Sequence, residues 1–225
     1  MTWNCRTAAV SLATLLVPIA LTAACSGSPT GPSAEPPTPL TLSLQSGVWQ
    51  TIGDPDPFPL TTSEATHLEF DFPTSGSMNY IQTPSALAVL RGTVFVSLQV
   101  NTIGPVVFNS LDPIAGSCGI PASVRPFLWA NGSGNGPDDR WWSNPRSFPL
   151  AEGSATISVP LSPEFWSNVN GQFGNTDAAT KYRFEKARLN VTRLGLTFGG
   201  GCSFGHGINV RGGRAQFRLT EYAVR

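Results

Sequence analysis

The amino-acid sequence predicts an all-β protein, an antiparallel β-sandwich that carries one or two short helices. Its 225 residues include 23 glycines and 20 prolines, and only 12% are charged. A composition so rich in turn-forming residues does not suit a helical bundle. Apolar and polar residues alternate with a period of two in many short runs, as they do in strands with one buried face. Glycine, proline, asparagine and aspartate lie between these runs, where turns need them.

The clearest alternation occupies residues 191–224, which we interpret as three strands that close the sandwich. The inward-facing positions are Leu194, Leu196 and Phe198, then Ile208 and Val210, then Ala215, Phe217 and Leu219. Gly212 and Gly213 stand between the last two strands. A two-residue β-hairpin turn needs the positive φ that glycine adopts at low cost, so we expect a hairpin there.

Earlier parts of the chain show the same pattern. Strands are expected at residues 40–44, 47–50, 67–72, 78–83, 93–101, 105–109, 124–130, 140–143, 148–150 and 155–159. Pro126 lacks the amide hydrogen that a ladder uses, so the strand at 124–130 is expected at a sheet edge or a bulge.

Two helices are expected late in the chain. Ser162, Pro163 and Glu164 supply a capping hydroxyl, a proline at the first helical position and an acid in the first turn. Gly171 would end that helix. Its apolar face would carry Phe165, Trp166 and Val169. The second helix is expected at 177–188, with Ala178, Tyr182 and Leu189 on its apolar face.

The N-terminal residues predict an exported protein. Residues 1–24 have one base, Arg6, before an apolar run that ends in small residues, as secretory signal peptides do. The end Leu21-Thr22-Ala23-Ala24-Cys25 resembles the bacterial lipobox, which implies that Cys25 is lipidated and becomes the new N-terminus. Plain secretion and an uncleaved anchor are the alternatives. The protein would then be a bacterial lipoprotein, anchored to a membrane in the periplasm or at the cell surface.

Residues 25–39 are rich in serine, glycine and proline and have no large apolar side chain before residue 40. Such a segment cannot bury enough apolar surface to offset the entropy of ordering, so it is predicted to be a disordered tether. The folded domain would occupy residues 40–225.

Cys118 and Cys202 are the two cysteines of that domain. Disulfides persist in exported proteins, so we expect these two cysteines to pair. Because the disulfide would close a long loop, it would stabilise the fold by about 4 kcal/mol. Two free buried thiols are the alternative. Two cysteines without partnered histidines are too few for a structural zinc site.

A family resemblance rests on the order of the strands, the late helix and the closing segments LTFGGG, GHGINVRGG and AQFRLTEY. Together they resemble the galactose-binding-like β-jelly roll, the fold of many carbohydrate-binding modules, over residues 40–225. The resemblance implies a noncatalytic domain that binds a carbohydrate or another polar ligand, in some cases with a structural calcium ion.

The candidate ligand-binding residues surround the glycine-rich loop at 131–139. They are Trp129, Asp138, Asp139, Arg140, Trp141 and Trp142. An indole ring can pack on the C–H face of a sugar while nearby polar groups bond its hydroxyls. Trp141 and Trp142 are adjacent on a strand and point to opposite faces, so at most one of them can be exposed. The alternative is that both pack in the interior, where we also expect Trp49 and Trp166.

Other ligands and activities follow less directly from the residues. Asp138 and Asp139, with Asn131 and Asn135, offer the oxygen donors that calcium prefers, but their spacing matches no known calcium loop. With 14 bases and 14 acids, the chain has no excess of positive charge for a basic stripe beyond local clusters, so nucleic acid is not an expected partner. No catalytic residue is predicted, because no nucleophile-elbow motif is present and sequence cannot show two carboxylates facing each other across a cleft. A protein-interaction domain of the cell envelope and a hydrolase are the two alternatives to a binding domain.

Overall fold

The computed structural model describes residues 39–54, 59–63, 66–84, 89–111, 121–130, 136, 138–144, 148–200 and 205–225. The predicted signal peptide, the lipidation site Cys25, nearly all of the tether and the disulfide pair Cys118 and Cys202 lie outside these residues. Asn131 and Asn135 lie outside them too. None of the helices in the described ranges is long and apolar enough to cross a membrane.

Fifteen strands are found in the described residues. In chain order they are β1 Leu40–Thr41, β2 Gln50–Asp54, β3 Thr61–Ser63, β4 His67–Asp71, β5 Ser77–Pro84, β6 Thr93–Ile103, β7 Val107–Ser110, β8 Ser123–Ala130, β9 Arg140–Ser143, β10 Phe148–Pro149, β11 Gly153–Pro160, β12 Trp166–Asn168, β13 Val191–Gly199, β14 Ile208–Arg211 and β15 Arg214–Val224. The helix α1 spans Ala178–Arg188, and single turns of 3-10 helix lie at Ser46–Val48 and Pro163–Phe165.

These strands form two antiparallel sheets, so the predicted β-sandwich is confirmed. The six-stranded sheet has the order β11-β6-β15-β4-β3, and β1 pairs with β15. The nine-stranded sheet has the order β12-β9-β8-β13-β5-β14-β7, with β10 beside β8 and β2 beside β5. The chain therefore visits both sheets repeatedly and does not complete one before it starts the other.

The core lies between the two sheets and is rich in aromatic rings. Phe198 of the nine-stranded sheet packs edge-on against Phe217 at 5.3 Å between centroids and against Phe70 at 5.6 Å, both from the six-stranded sheet. Trp49 and Trp166 are buried, as expected, with 4% and 0% of their surface exposed. All eight inward-facing residues predicted in the C-terminal stretch are buried in this core.

The predicted hairpin at Gly212 and Gly213 is wrong, although the backbone there is as expected. Gly212 has φ +81°, but β14 and β15 do not pair with each other. β14 pairs with β5 and β7 in one sheet, whereas β15 pairs with β4 and β6 in the other. The two glycines therefore make the tight connection that carries the chain across the sandwich.

The position predicted for the strand with Pro126 is also wrong. β8 is an interior strand between β13 and β9, and Pro126 lies opposite Leu196 of β13. On its other side β8 pairs with β9 from Phe127 onward and with β10 up to Val124. Because Pro126 lies in the gap between these two pairings, its missing amide hydrogen interrupts no ladder on that side.

The first of the two predicted helices is a single 3-10 turn at Pro163–Phe165, followed by strand β12. The hydroxyl of Ser162 donates to the carboxylate of Glu164 at 2.8 Å and does not cap the backbone. Trp166 enters the ladder opposite Ser143 of β9, and burial of its indole in the core replaces the expected helical face.

Candidate functional site

The helix α1 begins at a well-formed cap. The Asp177 carboxylate accepts a hydrogen bond from the Thr180 backbone N–H at 2.7 Å, as N-cap side chains do. Hydrogen bonds from this turn lower the pKa of Asp177, because they stabilise its ionised form. Phe184 then anchors the helix to the sandwich, with its ring 5.2 Å from that of Trp141 and 6.2 Å from that of Trp166.

Beside this helix lies the turn that leads into β9. The Asp139 carbonyl accepts from the N–H of Ala130 at 2.8 Å, which extends the β8–β9 ladder by one bond. The Asp139 N–H donates to the Gly136 carbonyl at 3.2 Å. The indole N–H of Trp141 donates to the Asp138 carbonyl, also at 3.2 Å. Backbone bonds thus fix the turn without using either aspartate carboxylate.

A groove of about 360 Å³ lies between this turn and α1. We call it the helix groove. It is lined by Gly136, Asp138, Asp139, Tyr182, Arg183, Lys186 and Ala187. Tyr182 is 69% exposed. Arg183 Nε lies 3.3 Å from Asp138 Oδ1, an ion pair that crosses from the helix to the turn.

Two charged groups of the helix groove have no partner among the residues that the structure describes. Within the described residues, neither the Asp139 carboxylate nor the Lys186 ammonium has a hydrogen bond or ion pair. The helix groove therefore combines an exposed aromatic ring, a free acceptor, a free donor and one ion pair. This combination suits a ligand that has hydroxyl groups on its rim and a less polar face.

Two of the six candidate ligand-binding residues, Asp138 and Asp139, line this groove. Trp141 is fully buried and packs in the core beneath it. Trp142 is 1% exposed on the opposite face of the same strand. The adjacent tryptophans do face opposite ways, but neither offers a ring to solvent, so the exposed platform expected from one of them is absent.

The other three candidates lie away from the groove, on the outer face of the nine-stranded sheet. Arg140 is opposite Trp129 in the ladder, and its guanidinium lies 5.7 Å from the centroid of the Trp142 ring. Trp129 lies under the guanidinium of Arg193 at 5.1 Å. Trp142 is part of a small buried cluster with Tyr80 and Phe127, against which Trp129 packs. The structure therefore divides the predicted site between two faces of β8 and β9.

The aromatic residue of the helix groove, Tyr182, was assigned to the wrong face of its helix. The buried residues of α1 are Thr180, Phe184 and Ala187. Positions 182 and 184 are two residues apart, which places them about 200° apart around the helix. Only one of these two rings can therefore face the core, and it is Phe184. Tyr182 and Lys186, four residues apart, share the exposed face.

Neither the helix groove nor a second cavity pairs two carboxylates across a cleft. The acids of the helix groove are neighbours in the chain, and Asp138 is held by Arg183. The second cavity, of about 450 Å³ between the β6–β7 turn and residues 121–122 and 150–152, contains one acid. That acid, Glu152, accepts a hydrogen bond from the Thr102 hydroxyl at 2.7 Å. Across the described ranges, no three His, Cys, Asp or Glu side chains are grouped as metal ligands.

The fold and the groove define this chain as a β-sandwich domain with a small polar groove on its surface. Among solved structures it is similar to the L4b domain of human laminin alpha-2, with a TM-score of 0.47 and 9% sequence identity. That similarity covers 84% of this chain and 96% of the laminin chain. No protein-family model matches the sequence, and no curated protein matches it.

Proposed function

We propose that this chain is an exported, lipid-anchored and noncatalytic binding domain that takes a carbohydrate in the helix groove. The observation that supports this most is the exposed ring of Tyr182 beside the free Asp139 carboxylate and the free Lys186 ammonium. Sugar rings have C–H faces that pack on aromatic rings, and their hydroxyls donate to carboxylates and accept from ammonium groups. The galactose-binding-like resemblance of the sequence supports the same function.

The dimensions and charges of the groove narrow the ligand. Small-molecule sites commonly occupy about 300–1,000 Å³. At about 360 Å³, the helix groove is at the small end of that range, which favours a short saccharide or a chain end. Two acids and two bases line it, so the local charge is balanced and a neutral sugar fits better than a highly charged one.

A glycan array with the full chain tests this proposal, followed by titration calorimetry with the best ligand. We expect Tyr182→Ala to weaken binding by up to about tenfold, since an aromatic contact of this kind contributes roughly 0.5–1.5 kcal/mol. Tyr182→Phe keeps the ring and should keep most of the affinity. Lys186→Ala should weaken binding, whereas Lys181→Ala, on the same helix but outside the groove, should not.

The binding measurements on the wild-type chain and its variants can support or contradict the proposal. Failure of the wild-type chain to bind any saccharide, or unchanged binding by Tyr182→Ala, would contradict a carbohydrate site in this groove. Thermal unfolding checks that each variant is folded. We expect Tyr182→Ala to keep the wild-type stability, because Tyr182 is exposed and its removal leaves no cavity.

The anchoring part of the proposal rests on the lipobox resemblance at Cys25 and has its own test. The chain expressed in a bacterium should incorporate labelled fatty acid and partition with membranes. Cys25→Ser should abolish both. A wild-type chain that is released without lipid would favour plain secretion instead.

A protein-interaction domain of a cell-envelope assembly is the second candidate. It is favoured by the β6–β7 turn, where Ile103 is 71% exposed and Val107 is 63% exposed. The two side chains are four residues apart in the chain, and contiguous exposed apolar patches are a feature of protein contact sites. Affinity purification from the native envelope, with the wild-type chain and with Ile103→Asp, would distinguish the two candidate functions. Ile103→Asp should lose a protein partner of the β6–β7 turn, whereas glycan binding in the helix groove should be unaffected by this change.

A further inference from the structure

Two arginines flank a tryptophan at one end of the outer face of the nine-stranded sheet. Trp129 of β8 has Arg140 of β9 opposite it on one side and Arg193 of β13 opposite it on the other. Residues directly opposite each other in antiparallel strands share a face, so all three side chains lie on the outer face. We call these three residues the arginine row. Each of them is partly exposed, so a ligand in solution can reach the row.

Trp129 holds the side chain of Arg193 in place. The central carbon of the Arg193 guanidinium lies over the indole ring, 5.1 Å from the ring centroid. This cation–π contact involves the guanidinium as a whole and uses none of its N–H groups as hydrogen-bond donors. Within the part of the chain that the structure describes, Arg193 makes no hydrogen bond and no ion pair. Its N–H donors are therefore available to a ligand.

The arginine row is positively charged, and its neighbours in the sheet do not compensate this charge. Arg140 and Arg193 are on the two strands that flank β8, so their Cα atoms are about 10 Å apart. Asp139, next to Arg140 in the chain, lines the helix groove instead. The neighbours of the row in the ladders are uncharged: Gln82, Pro84, Phe127, Trp142 and Gly195. Two cations at this separation repel each other, and a bound anion would offset that repulsion.

We propose that the arginine row is a second ligand site, which binds the oxyanion group of a soluble ligand through the guanidinium of Arg193. A guanidinium can donate two parallel N–H···O bonds to a carboxylate or a phosphate. Trp129 positions this guanidinium, and Arg140 adds positive charge on the other side of the indole. A carboxylated sugar and a phosphate ester present the same chemistry to the site. The charges of the helix groove are balanced, so the two sites would select ligands of different charge.

Titration calorimetry of the purified full chain at low ionic strength tests the proposal with two probes. Glucuronate carries a carboxylate, and inorganic phosphate represents a phosphate group, so the probe that binds identifies the source of the oxyanion. Binding should weaken as salt is added, because the charges of the row are partly exposed. Glucose is the neutral control for glucuronate. Any binding of glucose belongs to the helix groove and should not depend on Arg193.

Four variants locate the bound anion. Arg193→Gln should weaken its binding by about tenfold or more, because hydrogen bonds to a charged group are among the strong ones. Arg193→Lys keeps the charge without the two-bond geometry and should have an intermediate affinity. Trp129→Leu should also weaken binding, since the guanidinium loses its support. Arg211→Gln removes an exposed arginine from β14 of the same sheet and should bind like the wild type. Thermal unfolding checks that each variant is folded.

A wild-type chain that binds neither glucuronate nor phosphate would overturn the proposal, and so would unchanged binding by Arg193→Gln. Loss of anion binding in Lys186→Ala with full binding in Arg193→Gln would also overturn it, because the anion would then lie in the helix groove. The carbohydrate site proposed for that groove is tested with neutral sugars and Tyr182→Ala. Each of the two proposals can therefore fail while the other holds.

Discussion

The ring of Phe184 meets the indole of Trp141 edge-on, with 5.2 Å between centroids and 72° between ring planes. This contact joins α1 to the β9 strand, and the same indole bonds the Asp138 carbonyl through its N–H. One buried tryptophan therefore sets the position of both walls of the helix groove. The groove inherits its geometry from the core, although the residues that line it are largely exposed.

Phe184→Ala should destabilise the protein by about 3–5 kcal/mol, since it removes a fully buried ring and leaves a cavity between two tryptophans. Urea unfolding measures the change. Tyr182→Ala, two residues away on the exposed face, should change the stability by less than about 0.5 kcal/mol. Equal losses for the two variants would mean that the helix is oriented differently from the structure described above.

The same pair of residues shows what the sequence could and could not predict about the site. The loop carboxylates Asp138 and Asp139 were recognisable, because polar residues in a glycine-rich loop are exposed by default. The face of α1 that packs on the core was not recognisable from the sequence, because the helix has one aromatic ring on each of two nearly opposite faces. Contact with Trp141 and Trp166 selects Phe184, and that contact is a property of the folded chain alone.

The strands were predicted better than their connections. Period-two alternation identifies which residues of a strand share a face, and the core confirms this for β13, β14 and β15. It does not identify the neighbouring strand. Gly212 has the positive φ of a hairpin turn, yet the chain changes sheet there. Pairing depends on contacts between residues that are distant in sequence, and local pattern does not encode it.

Gly212→Ala should destabilise the protein more than Gly171→Ala, although both glycines have similar backbone angles. Their φ values are +81° and +72°, so each substitution carries the strain of the left-handed region, roughly 1–2 kcal/mol. A Cβ at Gly212 would lie 2.3 Å from the carbonyl oxygen of Pro105, whereas one at Gly171 meets no atom within 4 Å. Because the strain from φ is similar at the two positions, the difference in thermal stability between the two variants measures the steric clash at Gly212. Equal losses would show that the connection between the sheets can relax.

The ion pair between Asp138 and Arg183 should contribute little to stability. The two side chains are 57% and 40% exposed, and exposed pairs typically contribute about 0.2–1 kcal/mol. A double-mutant cycle with Asp138→Ala and Arg183→Ala should give a coupling energy in that range, which falls as salt is added. A coupling well above 1 kcal/mol that is insensitive to salt would mean that the pair is shielded from water. Its role in the groove would then be structural.

Acidification should reduce the stability contributed by the cap of α1. Hydrogen bonds from Thr180 lower the pKa of Asp177 below its ordinary value of 3.8. For a carboxylate with a depressed folded-state pKa, the stabilisation is fully present above the unfolded-state pKa and is lost as the pH falls through the folded-state value. Asp177→Asn retains a capping oxygen without the charge. The wild type should therefore be more stable than this variant near pH 6, and the difference should shrink as the pH falls below about 4. Urea unfolding at several pH values measures it, and a difference that stays constant down to pH 2 would show that the charge of Asp177 does not stabilise the helix.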